Sequence, residues 1–197
     1  MLMAEIELPD TKELEELKSK TFTKRVALMT AIFAVVLAIT SLGGNNAMKE
    51  MLLAQQQSSD QWAFYQSKVM REHLYKLQKM QFETNLLEKK RSMSPELVQH
   101  YSDTITKLGE EENRYGKEKK KIEEEAKKLE TERDVNKNKD PYFDYAEVLI
   151  QISIVLSSIS ILAGSHQIFY MALCSAFCGS LLSLNGFLLL VRIPFLH

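Results

Sequence analysis

Residues 26–43 read VALMTAIFAVVLAITSLG, a stretch without a charge, preceded by Lys24-Arg25 and followed by no further charge until Lys49. A hydrocarbon layer about 30 Å thick is crossed by roughly 20 apolar residues rising about 1.5 Å each. The stretch therefore reads as one membrane-spanning helix. A second apolar region runs from Val148 to Val191, with no Asp, Glu, Lys or Arg and with His166 its one histidine. It is too long for one span and fits two, broken at the polar turn Gly164-Ser165-His166-Gln167. The spans are placed at 25–44, 146–163 and 168–191. A composition with 26% charged residues and net charge −1 suits a soluble protein only on average. Outside the spans lie a tail at 1–24, a middle segment at 45–140 and a short tail at 192–197. The charges are confined to residues 1–25, 49–147 and 192–197, and a chain divided in this way cannot bury one globular core.

The first span is expected to be an uncleaved anchor and not a signal peptide. The tail before it carries six acidic residues, and Leu42-Gly43-Gly44-Asn45-Asn46-Ala47 offers no clear small-x-small cleavage site. Both cysteines, Cys174 and Cys178, fall four apart in the third span. They have no metal-ligand neighbours and read as small packing residues.

The middle segment alternates charge throughout, with 19 Lys+Arg and 18 Asp+Glu in residues 46–140, two glycines and one proline. Such a composition favours long helices over a sheet. Ser94-Pro95-Glu96 has the form of an N-cap, a first-turn proline and a first-turn acid, so a helix starts there. The segment is thus expected to be a hairpin with its turn at 91–94 and arms reaching roughly 60 Å. Steps of three and four from Ser94 pass through Val98, Tyr101, Ile105, Leu108, Glu112, Tyr115, Lys119, Ile122, Ala126 and Leu129. A 3.5-residue apolar repeat predicts an antiparallel coiled-coil seam. Glu112 and Lys119 interrupt it, as a solvated weak point or as a register device for a partner chain. The ascending arm is less regular: Trp62, Tyr65 and Val69, then Met70, Leu74 and Leu77, with Trp62 and Tyr65 as aromatic packing anchors.

Small residues recur at helical spacing in every span: Ala27, Ala31, Ala34 and Ala38; Ser153, Ser157 and Ser160; Ala172, Ala176, Gly179 and Ser183. Lipid supplies no hydrophobic force between helices, so close approach of small faces is what packs them. All three stripes are expected to serve membrane packing. Gln151 and Asn185 are the polar groups within the apolar regions, and Asn185 is expected to bond between helices.

No phosphate-cradling glycine loop, zinc-binding histidine pair or nucleophile elbow is present in the sequence. The four histidines are scattered, and Lys117–Lys121 is balanced at once by Glu123-Glu124-Glu125. The chain reads as no enzyme, with no cofactor, no metal and no nucleic-acid partner. Gly44-Asn45-Asn46-Ala47 and Ser59-Asp60-Gln61-Trp62-Ala63-Phe64-Tyr65-Gln66 resemble the bacterial family DUF4337, as does the layout of one span, a charged helical segment and two spans. That resemblance implies a bacterial membrane protein and assigns no activity.

The expected fold is all-α, with three transmembrane helices and a long extramembrane hairpin. The expected function is a self-associating scaffold in the bacterial inner membrane, its hairpin contacting other copies or a protein partner. The alternatives are an oligomeric pore lined by the serine face of the second span and Gln151, and a sensor hinged at Gly43-Gly44. Lys12, Lys18, Lys20, Lys24 and Arg25 before the first span, against Lys49 alone just after it, place the hairpin in the periplasm. Lys127, Lys128, Arg133, Lys137, Lys139 and Arg192 argue the other way.

Overall fold

Among the described residues the α-helices break at two places, around Ser94-Pro95 and at Gly164-Ser165, and the backbone is helical almost everywhere else. The computed structural model describes residues 11–191 and the side chains of 16–191. Three α-helices and one 3-10 turn make up the described residues: α1 Thr11–Lys89, the turn Lys90–Ser92, α2 Pro95–Ala163 and α3 His166–Leu188. Each of the three α-helices is long and apolar enough over part of its length to cross a membrane.

Local chemistry explains the ends. The Ser94 hydroxyl accepts the Leu97 N–H at 3.3 Å, and Pro95, whose missing N–H costs nothing in the first turn, opens α2. Gly164 adopts φ +62°, a left-handed conformation easy only for glycine, and α3 restarts two residues later. α3 closes on Leu189 at φ 48°. There Asn185 folds onto its own helix end, donating to the Val191 carbonyl at 2.8 Å and accepting the Val191 N–H at 2.9 Å. Asn185 is therefore a helix stop and not the interhelical bond expected of it, because the left-handed turn at Leu189 brings the N–H and C=O of Val191 back to its side chain.

The tail expected at 1–24 is helical from Thr11, and α2 runs through Pro141 without ending. Residues 1–10 and the 192–197 tail, with Arg192, lie outside the described residues. The chain divides into two compact units, one formed by residues up to Lys49 together with those from Asn136 onward, the other by Glu50–Val135.

In the first unit, parts of α1 and α2 pack with α3 around Phe33, Ile150 and Ala176, flanked by Met29, Val36, Leu37, Ile154 and Leu173. Val26, Tyr142 and Phe143 are buried as well, and much of the remaining interior is small or hydroxylated. Thr40, Ser153, Ser157 and Ser160 have no exposure, and Ala172, Gly179, Ser183 and Gly186 are buried. The outside carries the bulk: Leu28, Val35, Ile39 and Leu42 from α1, Val155 and Leu162 from α2, Phe177 and Leu188 from α3 are all more than half exposed.

In the second unit, α1 and α2 run antiparallel and meet along their length. Phe82 packs edge-on against Tyr101 at 5.2 Å near the turn, and Arg133 donates to Gln55 at 3.1 Å at the far end.

Candidate interaction surfaces

Every step of the repeat read from the return arm points inward: Tyr115, Ile122 and Ala126 are buried, and Val98, Tyr101, Ile105, Leu108, Glu112, Lys119 and Leu129 are half-buried. The ascending arm answers with its own three-four ladder, Met51, Ala54, Ser58, Gln61, Tyr65, Lys68, Glu72, Tyr75, Lys79, Phe82 and Leu86, each buried or half-buried. Five of those positions are polar, which is why the sequence did not disclose the ladder.

The polar positions face one another. Lys79 bonds Glu112 at 3.3 Å, Lys119 pairs with Glu72, and Lys68 bonds Glu118 at 2.6 Å. Glu112 and Lys119 are thus neither a solvated gap nor waiting for another chain; the same chain's ascending arm satisfies them. Partly exposed pairs of this kind contribute little to stability, so they fix register more than strength. Two glycines one heptad apart make room for them. A Cβ on Gly116 would lie 3.3 Å from Glu72 Oε1, and one on Gly109 would lie 3.7 Å from Lys79 Nζ. α2 continues through both glycines, so they are clearance for the crossing side chains and not loosened helix.

Tyr115 centres the hairpin. It stacks on Tyr75 at 5.5 Å, and its hydroxyl accepts from Arg114 at 3.1 Å and from Arg71 at a long 3.5 Å. These two guanidinium bonds hold the phenol pKa below its ordinary value. The Lys68 hydrogen bond likewise lowers the Glu118 carboxyl, and the Glu72 bond raises the Lys119 ammonium. The Glu118 contribution to stability therefore fades as pH falls through its depressed pKa, and that of Lys119 fades as pH rises through its elevated one.

Trp62 and Tyr65 form an edge-to-face pair at 5.4 Å, and the Trp62 indole donates to Glu130 at 2.9 Å. With Tyr75 and Phe82 they turn towards the return arm, whereas Phe64 is 49% exposed, so the aromatics of this arm do not all share one face. The outward side is a different stripe. Met70, Leu74 and Leu77 are 63%, 52% and 62% exposed, in line with the small exposed residues Ala63 and Ser67. The ascending arm therefore turns its polar ladder inward and this apolar heptad stripe outward.

The small-residue stripes also divide. Ser153, Ser157, Ser160, Ala172, Ala176, Gly179 and Ser183 are buried within the single chain. The three serine hydroxyls donate to carbonyls of their own helix at 2.7–2.8 Å, which removes their polarity from the interface. Ser175 donates across to the Leu149 carbonyl at 2.9 Å. Thr40 and Ser183 meet at 2.8 Å, and Thr40 also donates to Val36, so Ser183 is the donor between helices. Ala27, Ala31, Ala34 and Ala38, by contrast, are exposed. The inner face of α1 is instead Val26, Phe33, Thr40, Gly43, Gly44 and Ala47, where Phe33 joins the core around Ile150 and Ala176 and Gly43 and Gly44 lie against Phe143. Cys174 and Cys178 are free and exposed, so they are not packing residues within the chain.

Gly43 and Gly44 seat an aromatic pair and lie within continuous helix. A Cβ on Gly43 would come within 2.6 Å of Phe187 and 2.7 Å of Phe143, whose rings meet edge-on at 4.9 Å. A hinge there would have to break that contact.

The profile of a family described as a domain of unknown function, DUF4337, matches residues 22–189. The chain belongs to the DUF4337 family. The matched region takes in the whole second unit and most of the first. Comparison with curated proteins and with solved structures gave no match. Family membership brings no catalytic or binding residues to this DUF4337 chain, and its surfaces have to be read on their own chemistry.

Proposed function

We propose that this chain is a multi-pass protein of the bacterial inner membrane that self-associates through its hairpin and acts as a scaffold. The observation that carries self-association is the outward stripe Ala63, Ser67, Met70, Leu74 and Leu77. Its three-four spacing is that of a helix seam, and it is more apolar than the ladder the same arm uses within the chain. A second copy is the occupant that such a repeat fits, since an identical stripe on each subunit is self-complementary under twofold symmetry. The exposed alanine face at 27, 31, 34 and 38 supports the same reading inside the bilayer, where small faces allow close helix approach. Membrane insertion is supported by the surface of the first unit, where many leucine, isoleucine, valine and phenylalanine side chains face out while Thr40, Ser153, Ser157 and Ser160 are buried. That arrangement is costly in water and favourable in lipid.

Replacing Met70, Leu74 and Leu77 together by Glu would put three carboxylates where water must leave. Association should weaken by at least about a hundredfold with helicity unchanged. Mass measurement of the full chain in nanodiscs, wild type against the triple variant, checks this. A wild type that is strictly monomeric at micromolar concentration overturns the scaffold reading. A pore lined by Ser153, Ser157 and Ser160 draws less support, since those hydroxyls are buried and internally bonded. Gln151 is exposed on another face, beside Val148, Ile152 and Val155.

The lysine-rich N-terminal segment supports a cytoplasmic N-terminus and a periplasmic hairpin. Asp103 is exposed on the return arm. In a background with Cys174→Ala and Cys178→Ala, Asp103→Cys in intact spheroplasts should react with a membrane-impermeant thiol reagent. Reaction only after lysis would reverse the orientation.

A further inference from the structure

At the end of the first unit where the Gly164 turn joins α2 to α3, the helices leave a cavity of about 680 Å³. Three features give it a chemistry. Lys18, Phe22 and Arg25 line it at helical spacing on one face of α1, and His166 lines it from the first position of α3. Phe22 lies against the His166 ring at 4.2 Å and edge-on to Phe169 at 6.0 Å, so an aromatic shelf joins the two helices under the cations. Among the described residues, neither Lys18 nor Arg25 has an acidic partner, whereas Lys20, which does not line the cavity, pairs with Glu16 at 3.6 Å. Arg25 is also the last charge before the apolar stretch at 26–43. The cavity therefore sits where charged chain gives way to apolar chain, with cations and apolar rings in the same walls.

We propose that this cavity is a binding site for a phosphate-bearing anionic group, with an anionic phospholipid headgroup as its natural source. Lysine and arginine supply charge-assisted bonds to phosphate oxygens. His166 adds a donor at the start of a helix, whose free N–H groups favour negative charge. Phe22, Phe169 and Tyr170 offer the apolar surface that a glycerol backbone and upper acyl chain need and a free phosphate does not. Basic clusters at the membrane border attract anionic lipid in general, but this one is concave and lined on two helices, which a generic polybasic tail is not. The inference rests on the membrane part of the proposed function and is independent of self-association.

The test uses the full-length chain and two charge-matched double variants. Lys18→Gln with Arg25→Gln removes the cations of the cavity. Lys20→Gln with Lys24→Gln removes the same charge from neighbouring positions outside it. Co-flotation with vesicles of phosphatidylcholine alone checks insertion first, and failure there overturns the membrane reading and the site with it. Native mass spectrometry of the solubilised protein with phosphatidylglycerol then reads the site. Wild type and the Lys20/Lys24 variant should bind alike, and the Lys18/Arg25 variant at least about tenfold more weakly. Glycerol 3-phosphate at the same concentrations separates the sources. Binding of the lipid alone assigns a headgroup site, and equal binding of the soluble phosphate assigns a soluble ligand and overturns the lipid source. Equal losses in both double variants, or no preference for phosphatidylglycerol over phosphatidylcholine, overturn the site.

Discussion

Ile122→Lys should destabilise the hairpin by several kcal/mol, about 3 as an order of magnitude, and it is the largest single-residue effect expected in the second unit. Ile122 is 7% exposed and lies on the inward repeat of α2 between Lys119 and Ala126. Lysine there loses the apolar burial of isoleucine and must either lose water or force its chain out of the seam. The neighbouring Glu72 is already paired with Lys119. Glu124, two residues on and exposed, serves as the comparison. Glu124→Lys should stay within about 0.5 kcal/mol. Thermal melts of the full chain in detergent, followed by helical circular dichroism, separate the two. Coincident melts would show that the inward repeat does not hold the arms together.

Gly179→Leu should disrupt the first unit by about 3 kcal/mol or more, through packing within one chain and not between chains. A Cβ at position 179 would lie 2.8 Å from Ile150 Cγ1, 3.0 Å from the Ala146 carbonyl oxygen and 3.2 Å from Leu149 Cβ. Two of these atoms belong to or sit directly on the α2 backbone, so a rotamer change cannot relieve them. α2 and α3 must move apart, and the buried contacts around Ile150 and Ala176 go with them. The Ser175 bond to the Leu149 carbonyl should weaken in the same movement. Cys178→Leu, one residue away but exposed, should be nearly neutral. Unfolding in mixed micelles of rising sodium dodecyl sulfate measures both. Equal midpoints for Gly179→Leu and wild type would mean that the two helices do not approach as closely as this glycine requires.

The two substitutions mark how differently the two units were legible. The return arm was read well because Val98, Tyr101, Ile105, Leu108, Tyr115, Ile122, Ala126 and Leu129 are separated by charge, and a single stripe on a charged helix has one way to face. Ser94-Pro95 and Gly164-Ser165 were equally plain, since turn and cap chemistry is local. The serine stripe of α2 and the small stripe of α3 pack inward, as their spacing suggested.

The sequence by itself determined that the chain is helical, where its helices break, and which arm of the hairpin presents an unambiguous face. The tertiary structure decided which of several faces on α1 is used. Along 50–89 two heptad ladders compete, and hydrophobicity alone favours Met70, Leu74 and Leu77 over Lys68, Glu72 and Lys79. The polar ladder turns inward because Glu118, Lys119 and Glu112 on α2 complete it and because Gly109 and Gly116 leave space for the crossing side chains. Along 26–43 the alanines have the right spacing for packing but face out, because the opposite face carries Phe33 into the core around Ile150 and Ala176, Thr40 against Ser183 and Gly43 against Phe143 and Phe187. In each case the choice depends on the partner surface of another helix, distant in sequence, and periodicity within one helix does not contain it.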